Sequence, residues 1–278
     1  MSGLLALAAA VSYGTADFFG GAAARRQTAL AVLLVSTPVG LLTMLVAAVL
    51  TGGHPTVAGL LWGAAAGTCG GTGVMLFYHA LAVGPMSVVA PVSALTAALL
   101  PVLVALVSGE RPAPLVLVGV ALCLVAIALV SLEKRTTSAP GAARKGLLFA
   151  AIAGCGFGLF FVLAHHAGPG TGMWPLVTAR GAGWVVAVVA AVATGARLPR
   201  GRVTLGMALC SGVLDAGGNA LYLLASRAGD LTVAAVLTSL YPAVTVLLAR
   251  LRYGETMRAV QKVGLVVAAV AVVLTAAG

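Results

Sequence analysis

Residues 60–119, LLWGAAAGTCGGTGVMLFYHALAVGPMSVVAPVSALTAALLPVLVALVSGERPAPLVLVG, return 145 positions later as residues 205–264, LGMALCSGVLDAGGNALYLLASRAGDLTVAAVLTSLYPAVTVLLARLRYGETMRAVQKVG, without a gap. Gly67, Gly73, Gly84, Gly109 and Gly119 fall on Gly212, Gly218, Gly229, Gly254 and Gly264. Glu110 falls on Glu255. Chance supplies apolar matches in a chain this rich in Ala, Val and Leu. It does not readily supply glycines in one register together with a glutamate, in a chain with six acidic residues. The stretch reads as an internal duplication, and self-similarity on this scale frames every later assignment. The unit is half the chain rather than a short solenoid repeat.

Working outward, the chain is 61% hydrophobic and 8% charged. Soluble domains sit near ~45–50% and ~25%. Too little polar side chain is present to cover a water-facing surface, so the chain requires lipid around it. A membrane span takes ~20 residues. Ten spans use ~200 residues and leave short loops. The net charge of +10 does not point to nucleic acid, because the Lys and Arg fall in loops between apolar runs, with no basic patch interleaved with aromatics. Cys69, Cys123, Cys155 and Cys210 lie inside apolar runs without CxxC spacing and read as packing residues.

The predicted spans are about 4–21, 28–50, 57–81, 87–107, 115–132, 146–164, 173–194, 203–226, 231–249 and 260–277. The first has no basic segment before it and is interrupted by Asp17, which argues against a signal peptide. In the third, Gly63, Gly67 and Gly71 recur every four residues, the spacing that lets helices approach closely in lipid. Such a face can also line a path. Pro91, Pro101 and Pro242 lie within spans. The halves are residues 1–132 and 146–278, five spans each, joined by a basic linker at 133–145. His165 and His166 are placed in the loop after span 6. An odd number of spans per half inverts the second half, an architecture typical of secondary transporters with a site near the midplane between repeats. The fold class is therefore an all-α integral membrane protein of ten helices in two inverted five-helix repeats.

Loop charge sets orientation. Thirteen Lys and Arg, including Arg25, Arg26, Lys134, Arg135, Arg197 and Arg252, fall on one face. Arg111 and Arg227 fall on the other. The positive-inside rule puts both termini outside.

Three charges lie within spans: Asp17, Arg180 and Asp215. Each costs ~2.5–3.5 kcal/mol on insertion scales, so such residues face a cavity, a partner or a substrate. Counting from the outer ends of their spans, Arg180 lies ~10 Å deep and Asp215 ~16 Å deep, a gap an arginine can bridge. The expectation is that Arg180 pairs with Asp215 across a central cavity, or that Arg180 binds an anionic substrate group. Asp17 reads either as the partner of Arg25 or Arg26 or, with Asp215, as a protonatable carboxylate for proton coupling. Asp215, Asn219 and Tyr222 form a polar stripe on one helix face. Together with Tyr13, Tyr78 and Trp184 they complete the candidate substrate-binding set. Glu110 and Glu255 read as turn-capping charges. No metal or cofactor is expected.

These features together resemble the EamA-type branch of the drug/metabolite transporter superfamily. The resemblance rests on the duplicated five-span unit, the Gly109-Glu110 and Gly254-Glu255 turns, Tyr13-Gly14 followed by Asp17-Phe18, Arg180 in span 7, and Tyr78-His79-Ala80-Leu81 ending span 3. Family members often carry an arginine in span 2, where this chain has Ser36-Thr37-Pro38, and many look termini-inside. The resemblance implies transport of small metabolites by alternating access, with export favoured. It leaves the substrate open among amino acids, sugars, nucleotide sugars and drugs.

The absence of HExxH, Gly-x-Ser-x-Gly and P-loop motifs argues against an intramembrane enzyme and against ATP-driven transport by this chain alone. A non-transporting scaffold or ligand-binding membrane protein is the alternative, and no sizeable loop domain favours it. The expected partners are a small-molecule substrate and the lipid bilayer of the cytoplasmic membrane, as a monomer or homodimer, without nucleic acid.

Overall fold

Apolar side chains on every face of a segment leave backbone hydrogen bonding as the only way to satisfy its polar groups in lipid, and the helix does this within one segment. The computed structural model describes residues 1–24, 26–83, 86–131, 140–168, 170–253 and 259–277. Those residues form helices α1 (Ser2–Ala24), α2 (Ala29–Thr51), α3 (Val57–Val83), α4 (Met86–Val107), α5 (Pro114–Ser131) and α6 (Pro140–His166). They continue with α7 (Trp174–Thr194), α8 (Arg202–Ala228), α9 (Leu231–Thr238), α10 (Tyr241–Tyr253) and α11 (Ala259–Ala277). Among the described residues α1, α2, α6, α7, α8 and the 57–77 part of α3 are long and apolar enough to cross a membrane. Their outward faces carry exposed apolar side chains, such as Leu42, Val46 and Val49 on α2 and Val185, Val189 and Val192 on α7.

Three expectations about the elements are corrected. The predicted ninth span is two helices, broken at Ser239 and Leu240. Pro242 has no N–H to donate back toward Thr238, so the helical ladder loses a rung there. The expected linker at 133–145 is shorter, because α6 already begins at Pro140; residues 132–139 lie outside the described residues. His165 and His166 belong to the last turn of α6 rather than to a loop. The Gly254-Glu255 turn also lies outside the described residues. The four cysteines are free thiols.

The repeats are built into each other. Helix α3 packs against α6 and α7 of the second half, and α8 packs against α1 and α2 of the first. The duplicated glycines sit at these crossings. A β-carbon at Gly67 would collide with the backbone of Ala179 on α7, and one at Gly212 with the backbone of Ser36 on α2. Gly73 makes room for the Phe157 ring, where a β-carbon would lie 3.1 Å from Cδ1. Its counterpart Gly218 makes room for Tyr13, where a β-carbon would lie 2.8 Å from Cδ1. Small residues thus bring backbones together where lipid gives apolar surfaces no drive to associate. Gly109 is preserved for another reason: its φ of 99° is a left-handed conformation that other residues adopt at a cost.

One end of the bundle gathers the N-terminus of α1 and the loops after α2, α4, α6 and α8. Gly53 touches Gly172. The His54 N–H donates to the Gly170 carbonyl at 3.1 Å. Arg227 donates to the carbonyls of Gly172 at 3.0 Å and Gly168 at 2.8 Å. Since α1 starts and α6 ends at this face, the two halves run oppositely.

Gly67→Ala should lower stability by about 1–3 kcal/mol through overpacking, read as the unfolding midpoint in detergent. Gly181→Ala, also in a helix but with nothing within 4 Å of the added carbon, should leave the midpoint unchanged or raise it.

Candidate functional site

Because α3 and α8 cross into the opposite halves, the space at the centre is walled by both. A cavity of about 240 Å³ lies there. Helix α3 contributes Gly67, Gly70 and Gly71, the face that also packs against α6 and α7. Helix α6 contributes Phe157, Phe160 and Phe161, and Tyr13 and Tyr241 add two more rings. Tyr13 meets Phe161 and Tyr241 edge to face at centroid separations of 6.4 and 6.3 Å. The polar groups are Asp17 on α1, Ser36 and Thr37 on α2, Arg180 on α7, and Asp215 and Asn219 on α8.

At the centre, Arg180 Nη1 is bonded to Asp215 Oδ2. The side chains are 15% and 37% exposed, so water in the cavity reaches the carboxylate more than the guanidinium. The second guanidinium nitrogen, Nη2, is buried with no partner among the described residues. Asn219 Nδ2 donates to the Asp215 carbonyl one turn earlier at 2.8 Å, while its Oδ1 is left without a donor. The Tyr13 hydroxyl is also buried and unpaired. Buried polar atoms without partners are uncommon, and each calls for an explanation. Here one donor, one acceptor and one hydroxyl are left free at the wall of a single cavity. That pattern suits a polar ligand carrying complementary groups.

Asp17 faces the same cavity and forms no ion pair among the described residues. The alternative expectation that Arg26 neutralises it is therefore corrected; Arg25 lies outside the described residues. With both carboxylates ionised, Asp17 and Asp215 outnumber Arg180 and leave the cavity one negative charge.

Two expected site residues do not reach the cavity. The Tyr222 ring is fully buried and stacks against Phe161 at 4.4 Å between centroids, and its hydroxyl donates to the Phe161 carbonyl at 3.2 Å. It ties α8 to α6. Asp215 and Asn219 line the cavity, and Tyr222, three residues beyond Asn219, does not. Trp184, on α7, is 39% exposed and is not among the residues lining the cavity. The Tyr78 side chain lies outside the described residues. Sequence reasoning missed the aromatic wall at Phe157, Phe160 and Phe161. Their three- and four-residue spacing was a signal, but one shared with ordinary lipid-facing or core aromatics.

No cluster of three metal-ligating side chains occurs among the described residues.

A helical duplication whose halves cross into each other around a central cavity, with a charge pair beside it, has the architecture typical of repeat-built membrane transporters. The chain belongs to the EamA-like transporter family, whose profile matches residues 1–132 and again 144–277. No curated protein sequence matches the chain. A solved crystal structure is similar over 99% of this chain and 98% of its own, with a TM-score of 0.78 at 16% sequence identity. At that identity the likeness speaks for the fold alone.

Asp215→Asn should destabilise by about 2 kcal/mol, between the small value of an exposed pair and the ~3–5 kcal/mol of a buried one. The double variant Arg180→Gln/Asp215→Asn should lose less than the sum of the single losses, since no unpaired charge remains. Unfolding midpoints of the four proteins measure the coupling.

Proposed function

We propose that this protein is a secondary active transporter that exports small organic metabolites by alternating access, with the solute held between the two repeats. The carrying observation is the central cavity, walled by both halves, where Tyr13 Oη, Arg180 Nη2 and Asn219 Oδ1 are buried without partners among the described residues. The eleven helices read as ten spans, with α9 and α10 forming one broken crossing. Loop charge supports both termini lying outside a cytoplasmic membrane, with the basic loops inside.

The charge balance supports a finer reading of the substrate. One uncompensated carboxylate among aromatic rings favours a solute with a protonated amine, since ring faces attract cations by ~0.5–2 kcal/mol. The free Nη2 of Arg180 accommodates a carboxylate on the same solute, so amino acids and simple amines both fit. Asp17 and Asp215 are the groups available for proton coupling. A proton or an ammonium neutralises Asp17, and exclusive occupancy by one or the other is sufficient to couple their movements in opposite directions.

Access is argued from depth. Asp17 lies seven residues from the end of α1 at Ala24, ~10 Å at 1.5 Å per residue. Leu33 lies four residues from the start of α2, ~6 Å from the same basic face. At the opposite face the segment after α2 is held to the segment after α6 by the contacts described above. Both facts support a conformation facing the basic side, from which an exporter loads.

Counterflow in proteoliposomes, scanned over amines, amino acids and matched neutral and anionic analogues, tests this reading. Saturable flux is expected for amine-bearing solutes. Arg180→Ala should lower kcat/KM at least ~10-fold for solutes with a carboxylate, equivalent to about 1.4 kcal/mol of transition-state stabilisation. Asp17→Asn should abolish the effect of a proton gradient. Specific binding without flux for every solute would instead favour a ligand-binding membrane protein.

A further inference from the structure

Glu110 is the glutamate that the duplication preserves, and the cavity does not use it. It lies in the turn after α4, one residue beyond Gly109 with its left-handed φ of 99°. From there its carboxylate crosses to the second half. Oε1 accepts from the Leu231 N–H at 3.0 Å. Oε2 accepts from the Thr232 N–H at 3.4 Å and from the Thr232 hydroxyl at 2.9 Å. These are the first two residues of α9.

The first N–H groups of any helix lack intrahelical partners and concentrate partial positive charge. A side chain of the preceding residue usually satisfies them. Here that residue is Asp230, a good capping type, yet its side chain makes no capping bond. The carboxylate of the other repeat does the work. A local cap would have stabilised α9 alone. This cap fastens α9 to the far half of the molecule.

Helix α9 is suited to transmit that attachment. Seven of its eight residues are buried, and it packs against α1, α4, α5 and α8. Its far end breaks at Ser239 and Leu240, and the next residue, Tyr241, lines the cavity beside Tyr13. Just beyond, the Thr245 hydroxyl donates to the Gly14 carbonyl at 3.1 Å. One short rigid helix therefore joins the Glu110 contact at the weakly charged face to the cavity wall. Nearby, in the last turn of α8, Arg227 bonds to Gly168, Thr171 and Gly172. The Glu110 and Arg227 bonds lie at the face opposite the basic loops, and the Thr245–Gly14 bond lies deeper, near the middle of α1.

We infer that Glu110 is a positioning residue that latches the cavity shut on the weakly charged face, by capping α9 across the two repeats. It never touches the solute. Release of α9 from the carboxylate lets the broken α9–α10 crossing and Tyr241 move, and the face opens. This inference rests on the alternating-access reading, but its test needs no known solute.

The test uses the full chain with its four cysteines replaced and Ser36→Cys as a reporter in the cavity wall. A membrane-impermeant maleimide is added to one side at a time, in intact cells and in inverted membrane vesicles. The readout is the ratio of labelling rates from the two sides. Glu110→Gln keeps the size but replaces one acceptor oxygen by an NH₂ that faces an N–H. It should raise the ratio in favour of the weakly charged face at least ~5-fold. Thr232→Val removes the hydroxyl bond alone and should shift the ratio the same way by less. Glu110→Asp retains charge with a shorter reach and should lie between wild type and Glu110→Gln. An unchanged ratio in both Glu110→Gln and Thr232→Val overturns the latch, and so does an equal rise from both sides, which marks general loosening. Should Glu110→Gln fail to fold, Thr232→Val decides alone. A shifted ratio in a protein that moves no solute would support the latch and sink the transporter reading. Flux with an unchanged ratio would do the reverse.

Discussion

The structure depends on backbones meeting where side chains would normally keep them apart. At Gly67 the α3 chain lies against the α7 backbone at Ala179, and at Gly212 the α8 chain lies against the α2 backbone at Ser36. Water is absent in a bilayer core, so burying leucines gives little association energy there. Close backbone contact and a few polar bonds must substitute. The Ser12 hydroxyl to the Leu214 carbonyl at 2.7 Å and the Thr178 hydroxyl to the Leu60 carbonyl at 3.0 Å are bonds of that kind, and each ties one repeat to the other.

The same crossings create the cavity. The glycine face that packs at Gly63 and Gly67 continues to Gly70 and Gly71, which lie against Phe160 and Gly183 and also border the cavity. The close packing expected of this face is seen along its length. The three charges within the predicted spans, Asp17, Arg180 and Asp215, all line the cavity. Arg180 and Asp215 meet within hydrogen-bonding reach, which offsets much of the desolvation each would suffer singly. Among the described residues, Asp17 has no ion pair and one polar atom each on Tyr13, Asn219 and Arg180 has no hydrogen-bond partner. The close crossings hold these groups in place, and the α9–α10 break sets Tyr241 beside Tyr13 in the cavity wall.

Much of this was legible in the chain. The duplicated glycines gave the two halves their register, and the structure adds the physical reason for the register: Gly67 and Gly212 do equivalent work, as do Gly73 and Gly218. The pairing of Arg180 with Asp215 followed from depth along two helices. Tyr222 was misplaced because helical periodicity names a face without saying how far a cavity extends along it. Trp184 was misplaced because a polar-tipped aromatic suits a lipid interface and a binding site equally well. The break in the ninth crossing was signalled by Pro242, yet membrane helices carry proline unbroken often enough that the residue alone decided nothing.

By itself the sequence determined a lipid-embedded, duplicated helical chain with three charges in its spans. Composition, periodicity and register are local or repeating properties, and a linear reading recovers them. Only the tertiary structure decided that the third helix of each half belongs between the first two helices of the other. It also showed that Asp17 faces the cavity without an ion pair among the described residues and that Glu110 caps a helix 121 positions away. These depend on which backbones approach closely enough for one missing methyl group to matter, and that distance is set by the packing of all the helices together.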